Sequence, residues 1–139
     1  MTHRTEIEIA WGDTDAGGLI YFPRFFHFVV VGLNDYFAPA VDGGHPMERL
    51  RRDGYALPSI DASASFESPL RAGDVAHVET TVTAGETSLA DEFEIARPNG
   101  DRVAGGEVAF VLVDGDFEPT PLPDAFLECI HERGDASPA

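Results

Sequence analysis

Hydrophobic and polar residues alternate over residues 5–11. Ile7, Ile9 and Trp11 fall on one side and Glu6 and Glu8 on the other, the period of a half-buried strand. Residues 12–18 are loop by composition, with glycine at 12, 17 and 18. From about residue 22 to 38 the spacing predicts a helix opened by Pro23, whose missing N–H is harmless in a first turn. Phe22, Phe25, Phe26, Phe28, Leu33, Tyr36 and Phe37 surround nearly the whole of that helix, so it is expected to be buried on all sides. The run Val29-Val30-Val31 is a weak helix former, and a buried strand competes with the helix there.

Pro39 is expected to end this element, and residues 45–52 read as a short polar surface helix closed by Gly54. The period then changes to two. Ile60, Ala62, Ala64 and Phe66 alternate with polar residues over 59–68, and Ala76, Val78, Thr80 and Val82 do so over 75–84. Leu89, Phe93 and Ile95 share a face over 88–96, followed by the hairpin signal Pro98-Asn99-Gly100-Asp101. Residues 103–113 are apolar on both faces, as in a central strand, and residues 121–133 predict a closing helix. The sum is an α+β fold: an antiparallel sheet of five or so strands curled around one central helix. The whole chain, 1–139, is expected to be a single domain, with 134–139 a loose tail.

Ten phenylalanines and a hydrophobic content of 43% suit a globular core, and no apolar run approaches the roughly 18 residues of a membrane span. The first residues pass directly into the strand pattern, so a signal peptide is not expected. One cysteine, Cys129, fits a reducing compartment, and the expected location is the cytoplasm. Charge changes the picture more. Twenty-five acidic residues face nine arginines and no lysine, a formal charge of −16, which repels nucleic acid. Two readings of that acidity stand: adaptation to a salt-rich cytoplasm, where screening removes self-repulsion, or an acidic protein from a host that prefers arginine.

Candidate chemistry concentrates in the loop. Two carboxylates, Asp13 and Asp15, precede a helix start whose N–H groups carry partial positive charge. That pairing suits chemistry on a carbonyl. Asp13 is expected to hydrogen-bond the loop backbone. No Cys/His cluster has metal-ligand spacing, and two aspartates alone do not make a metal site. His27 reads as a core or interface histidine.

The stretch Gly12-Asp13-Thr14-Asp15-Ala16-Gly17-Gly18-Leu19-Ile20-Tyr21, followed by an aromatic-rich helix, resembles the signature of the 4-hydroxybenzoyl-CoA thioesterase family of hotdog-fold acyl-CoA thioesterases. Pro69 to Asp74 and Gly85 to Leu89 resemble that family's turns before its third and fourth strands. The resemblance implies a hotdog fold, a homodimer or homotetramer with active sites at the subunit interface, and hydrolysis of an acyl-CoA thioester without a cofactor, coenzyme A being part of the substrate. Asp15 matches the catalytic aspartate, acting as nucleophile or general base, and the backbone N–H of Phe22 would polarise the carbonyl. Gly17, Gly18, Tyr21, Phe25, Phe26, Thr87 and Ser88 would contact substrate, the phenylalanines favouring aromatic or bulky acyl groups. Many relatives carry an acid where this helix has Val30, and basic residues where this chain has Glu86 and Phe117–Thr120, which leaves Arg24, Arg71, Arg97 and Arg102 as the candidates for contact with the CoA phosphates. A non-catalytic acyl-thioester binding module is the alternative, and a hotdog hydratase a more distant one.

Overall fold

The computed structural model describes residues 2–135. Its strands are β1 (His3–Glu8), β2 (Ser59–Phe66), β3 (Val75–Ala84), β4 (Ser88–Ala96) and β5 (Arg102–Val111), and its helices α1 (Arg24–Tyr36), α2 (Pro46–Arg52) and α3 (Asp124–Glu132). Every strand pairing is antiparallel, in the order β1-β3-β4-β5-β2. Alternation decides which side chains face the helix. Ala76, Val78, Thr80 and Val82 of β3 are buried, as are Leu89, Asp91, Phe93 and Ile95 of β4. The Asn99-Gly100 turn forms as expected: Gly100 takes φ 96° and Arg97 N–H donates to Asp101 C=O at 2.8 Å.

α1 lies against β1 and β3. Gly32 sets the approach, because a Cβ there would stand 2.8 Å from Thr80 Oγ1 and 2.9 Å from Val78 Cγ1. At the other end, the Arg133 guanidinium donates twice to the Tyr36 carbonyl, at 3.0 and 2.6 Å, satisfying an acceptor that the helix itself leaves open. Phe126 of α3 packs on Phe37, ring centres 5.0 Å apart. His45 caps α2, its Nδ1 accepting from Glu48 N–H at 3.2 Å.

Four expectations change. Trp11 does not share the buried face of Ile7 and Ile9; it enters a single 3-10 turn, Trp11–Asp13, and is 86% exposed. α1 starts at Arg24 and ends at Tyr36, with Pro39 inside a following 3-10 turn, Ala38–Ala40. Burial of α1 is also one-sided within the single chain. Phe25, Phe28, Val29, Gly32, Leu33 and Tyr36 are buried, whereas Val30 is 42% exposed and Phe22, just before the helix, 62%. Finally, β2 alternates but buries neither face, since it is an edge strand, leaving Ile60 and Phe66 exposed.

Gly134 and Asp135, from the segment expected as a tail, are held in place. Asp135 accepts from the Tyr36 hydroxyl at 2.6 Å and from Val82 N–H at 3.1 Å. Residues 136–139 lie outside the described residues. Among the described residues no helix is long and apolar enough to cross a membrane.

Candidate active site

The loop between β1 and α1 folds as a small hairpin. Thr14 and Ile20 form a bridge, Asp15 N–H donates to Leu19 C=O at 2.9 Å, and Gly18, at φ 78°, returns its N–H to Asp15 C=O. Only a residue without a Cβ accepts that φ without strain. Two further bonds lash the hairpin down, Ile20 N–H to Leu70 C=O and Tyr21 N–H to Asp13 C=O.

The two aspartates have opposite surroundings. Asp13 is 5% exposed; its Oδ2 accepts from Ala10 N–H at 2.8 Å and its Oδ1 from the Arg24 guanidinium. Burial alone would raise its pKa. The Ala10 hydrogen bond and the Arg24 hydrogen bonds and charge outweigh that and hold the carboxyl below its ordinary range. The loop-holding role expected of Asp13 is therefore the one its contacts describe. Asp15, in contrast, is exposed, and its Oδ1 accepts from Gly17 N–H at 2.9 Å. A Cβ on Gly17 would come within 3.2 Å of that oxygen, so Gly17 gives the Asp15 carboxylate its room.

At the start of α1 the donors can be counted. Pro23 has no N–H, and Arg24, Phe25 and Phe26 donate to Tyr21, Phe22 and Pro23 carbonyls. The Phe22 N–H alone in this stretch finds no acceptor among the described residues. It sits at the positive end of the helix, aligned with the fixed partial charge a carbonyl oxygen can use. Phe22 borders a groove of about 360 Å³ with Leu19, Ile20, Phe25 and Phe66, while Asp15 borders another of about 310 Å³ with Trp11, Gly12, Thr14 and Ala16.

Other expected contacts divide. Tyr21 is exposed with its ring 5.8 Å from that of Phe22. Phe25 is mainly core, 4.9 Å from the Phe66 ring, and Phe26 is half-buried near Phe93. Thr87 and Ser88 lie where β4 begins, whereas the loop packs near Leu70 and Asp74, where β3 begins and β4 ends. Within one chain, the length of β4 separates them from Asp15. Of the arginines considered for phosphate contact, Arg24 is engaged by Asp13, Arg97 by Asp74 and the Pro69 carbonyl, and Arg102 by Glu67 and Glu94. The Arg71 guanidinium has no acidic partner among the described residues, its backbone N–H alone reaching Asp74. His27 is exposed on α1 rather than in the core.

One buried acid was missed. Asp91 is fully buried on β4, in register with Val82 and Val108, and neither carboxylate oxygen has a hydrogen-bond partner among the described residues. Desolvation pushes its pKa up to about 8. The signal was available, because the face shared by Leu89, Phe93 and Ile95 necessarily includes position 91.

Residues 9–130 match the family model described as the thioesterase-like superfamily. The Bacillus subtilis (strain 168) protein YneP, provisionally named an acyl-CoA thioesterase, is 25% identical over 125 residues, 88% of each chain. Two solved structures align along nearly their full lengths. Slr0204 of Synechocystis, a 1,4-dihydroxy-2-naphthoyl-CoA thioesterase, superposes with a TM-score of 0.84 at 21% identity, covering 95% of this chain and 97% of that one. The 4-hydroxybenzoyl-CoA thioesterase of Pseudomonas sp. strain CBS-3 gives 0.75 at 20% identity, covering 92% and 98%. At such identities the superpositions speak for the fold, and the wrapped sheet and helix are the hotdog fold. The family match runs through the β1–α1 loop, α1 and strands β2 to β5, and the chain belongs to the thioesterase-like superfamily.

Proposed function

We propose that this chain hydrolyses an acyl-CoA thioester to the free acid and CoA. The observation that carries the reading is the unpaired Phe22 N–H at the start of α1, a short hairpin away from the exposed Asp15 carboxylate. The thioester carbonyl oxygen would accept from Phe22 N–H, and the helix end would stabilise the oxyanion that develops. Membership of the thioesterase-like superfamily and the likeness to YneP support the same bond as substrate.

Two routes use the same atoms. In one, an Asp15 oxygen bonds to the carbonyl carbon, the C–S bond breaks with CoA leaving as thiolate, and water then cleaves the resulting anhydride. In the other, Asp15 takes a proton from water, hydroxide adds to the carbon, and the collapsing intermediate expels the thiolate, which recovers the proton. Neither route calls for a cofactor.

A second copy of the chain completes this reading. β2 offers an unpaired edge with Ile60 and Phe66 exposed, and a two-fold dimer would pair it antiparallel with its copy. Ser59 is level with the β4 start across β5, through Phe110 and Leu89, and Phe66 lies beside Phe25, so antiparallel pairing would bring the partner's β3–β4 turn level with this α1 start. Thr87 and Ser88 would then serve the neighbouring subunit's site, against the CoA portion.

Thiol release measured across a panel of acyl-CoAs, in low and high salt, tests the proposal. Release in step with free acid is the expected result. Tight acyl-CoA binding without release would instead favour an acyl-thioester binding module.

A further inference from the structure

α1 carries more apolar surface than the core uses. Phe22, Phe26, Val30 and Leu33 follow one another at helical spacing and form a single stripe. Its first member is largely exposed, Phe26 half-buried and Val30 42% exposed. The stripe starts at the proposed carbonyl site. It ends at a cavity of about 290 Å³ between α1, α2 and the sheet, walled by Val30, Leu33, Leu50, Tyr55, Leu57 and Phe110. An apolar hollow of this size, partly open to solvent and on the order of ten water volumes, is the default candidate for a ligand site.

We propose that this cavity takes the distal part of an aliphatic acyl chain, which lies along the stripe from Phe22 to Val30. The proposal rests on the thioesterase reading and names its substrate class. Phe22 and Val30 are two turns apart, about 12 Å along the helix axis, so only an extended acyl chain of medium or greater length reaches from the thioester into the cavity. The lining also discriminates by chemistry. Tyr55 supplies one hydroxyl, and the Arg51 guanidinium at the cavity is already paired with Glu48, its Nε donating at 2.9 Å. Away from the Tyr55 hydroxyl, the valine and leucine walls offer a hydroxylated aryl group no hydrogen-bond partner, whereas an unsubstituted chain loses nothing there. Val30 lines the cavity and is its exposed apolar member, so a larger side chain there would block entry.

The test is the chain-length profile. kcat/KM is measured for butyryl-, hexanoyl-, octanoyl-, decanoyl-, dodecanoyl- and 4-hydroxybenzoyl-CoA with the unmodified protein and with Val30→Trp, thermal melts confirming that the variant folds. Binding of butyryl- and decanoyl-CoA to Asp15→Asn protein is measured in parallel by calorimetry, so the cavity is tested without turnover. The expected profile rises about three- to fourfold per methylene buried until the cavity fills. Val30→Trp lowers the decanoyl-to-butyryl ratio by tenfold or more, both in kcat/KM and in binding. A flat profile, a preference for the hydroxyaryl substrate, or an unchanged ratio in Val30→Trp overturns the proposal. Absence of hydrolysis with the binding ratio intact would overturn the thioesterase reading and leave the cavity assignment standing.

Discussion

Arg24 donates to Asp13 Oδ1 through both Nε, at 2.9 Å, and Nη2, at 2.6 Å, and so ties the first turn of α1 to the loop that carries Asp15. Asp13 is buried and Arg24 partly exposed, so deleting the arginine strands a carboxylate without its cation. Arg24→Ala is expected to cost about 2 kcal/mol. Asp13→Asn in the same background should recover part of that loss, which a double-mutant cycle in urea measures.

Asp91 gives stability a dependence on pH. Its folded pKa is about 8, above the ordinary 3.8 that the unfolded chain has. The native state therefore keeps a proton that the unfolded chain has released, and stability falls as pH rises between about 4 and 8. Asp91→Asn should remove that decline and raise stability at pH 9, relative to the parent, on the order of several kcal/mol. Asp13 acts in the opposite sense, its depressed pKa contributing stability that disappears as acid protonates it. Urea melts of parent and Asp91→Asn at pH 5 and pH 9 check the sign.

The convex face of the sheet sets like charges opposite one another. Glu79 is the register partner of Glu94, and Glu92 of Glu107. Such cross-strand pairs repel. Arg4 and Arg102 offset them in part, reaching Glu79 at 3.0 Å and Glu94 at 3.5 Å. Raising salt towards ~1 M, where the screening length is about 3 Å, should lift the melting temperature by roughly 5–10 °C. A melting temperature indifferent to salt would count against salt adaptation.

The exposed β2 edge predicts a dimer. Light scattering should give twice the chain mass, and Ile60→Lys, which places a charge on that edge without disturbing the core, should shift the protein towards monomer and depress turnover. A parent that is monomeric and active would contradict an interface site.

Period-two and period-3.6 patterns made the five strands and three helices legible, and every one of those elements except the edge strand β2 does bury a face. What they did not reveal depends on context beyond the element itself. Trp11 continues the alternation of Ile7 and Ile9, but Asp13 folds back to cap Ala10 and turns the chain before residue 11 can enter the sheet. Ile60 and Phe66 alternate correctly, yet their strand lies at the edge, which only strand order reveals. The apolar surplus of α1 is visible as composition and reads as core; a cavity beside Val30 and Leu33 is a property of packing that no spacing encodes. Asp15 was found through a motif, and its exposure and its hydrogen bond from Gly17 required coordinates.

The central claim is that Asp15 performs the chemistry and Phe22 N–H receives the carbonyl. Asp15→Asn keeps the size and the turn-forming acceptor oxygen while removing the charge. Thiol release from a hydrolysed acyl-CoA, compared between parent and Asp15→Asn at matched melting temperature and oligomeric mass, tests it most directly. The expected result is a fall in kcat of about 10³-fold or more. Near-parental turnover in the variant would contradict the account.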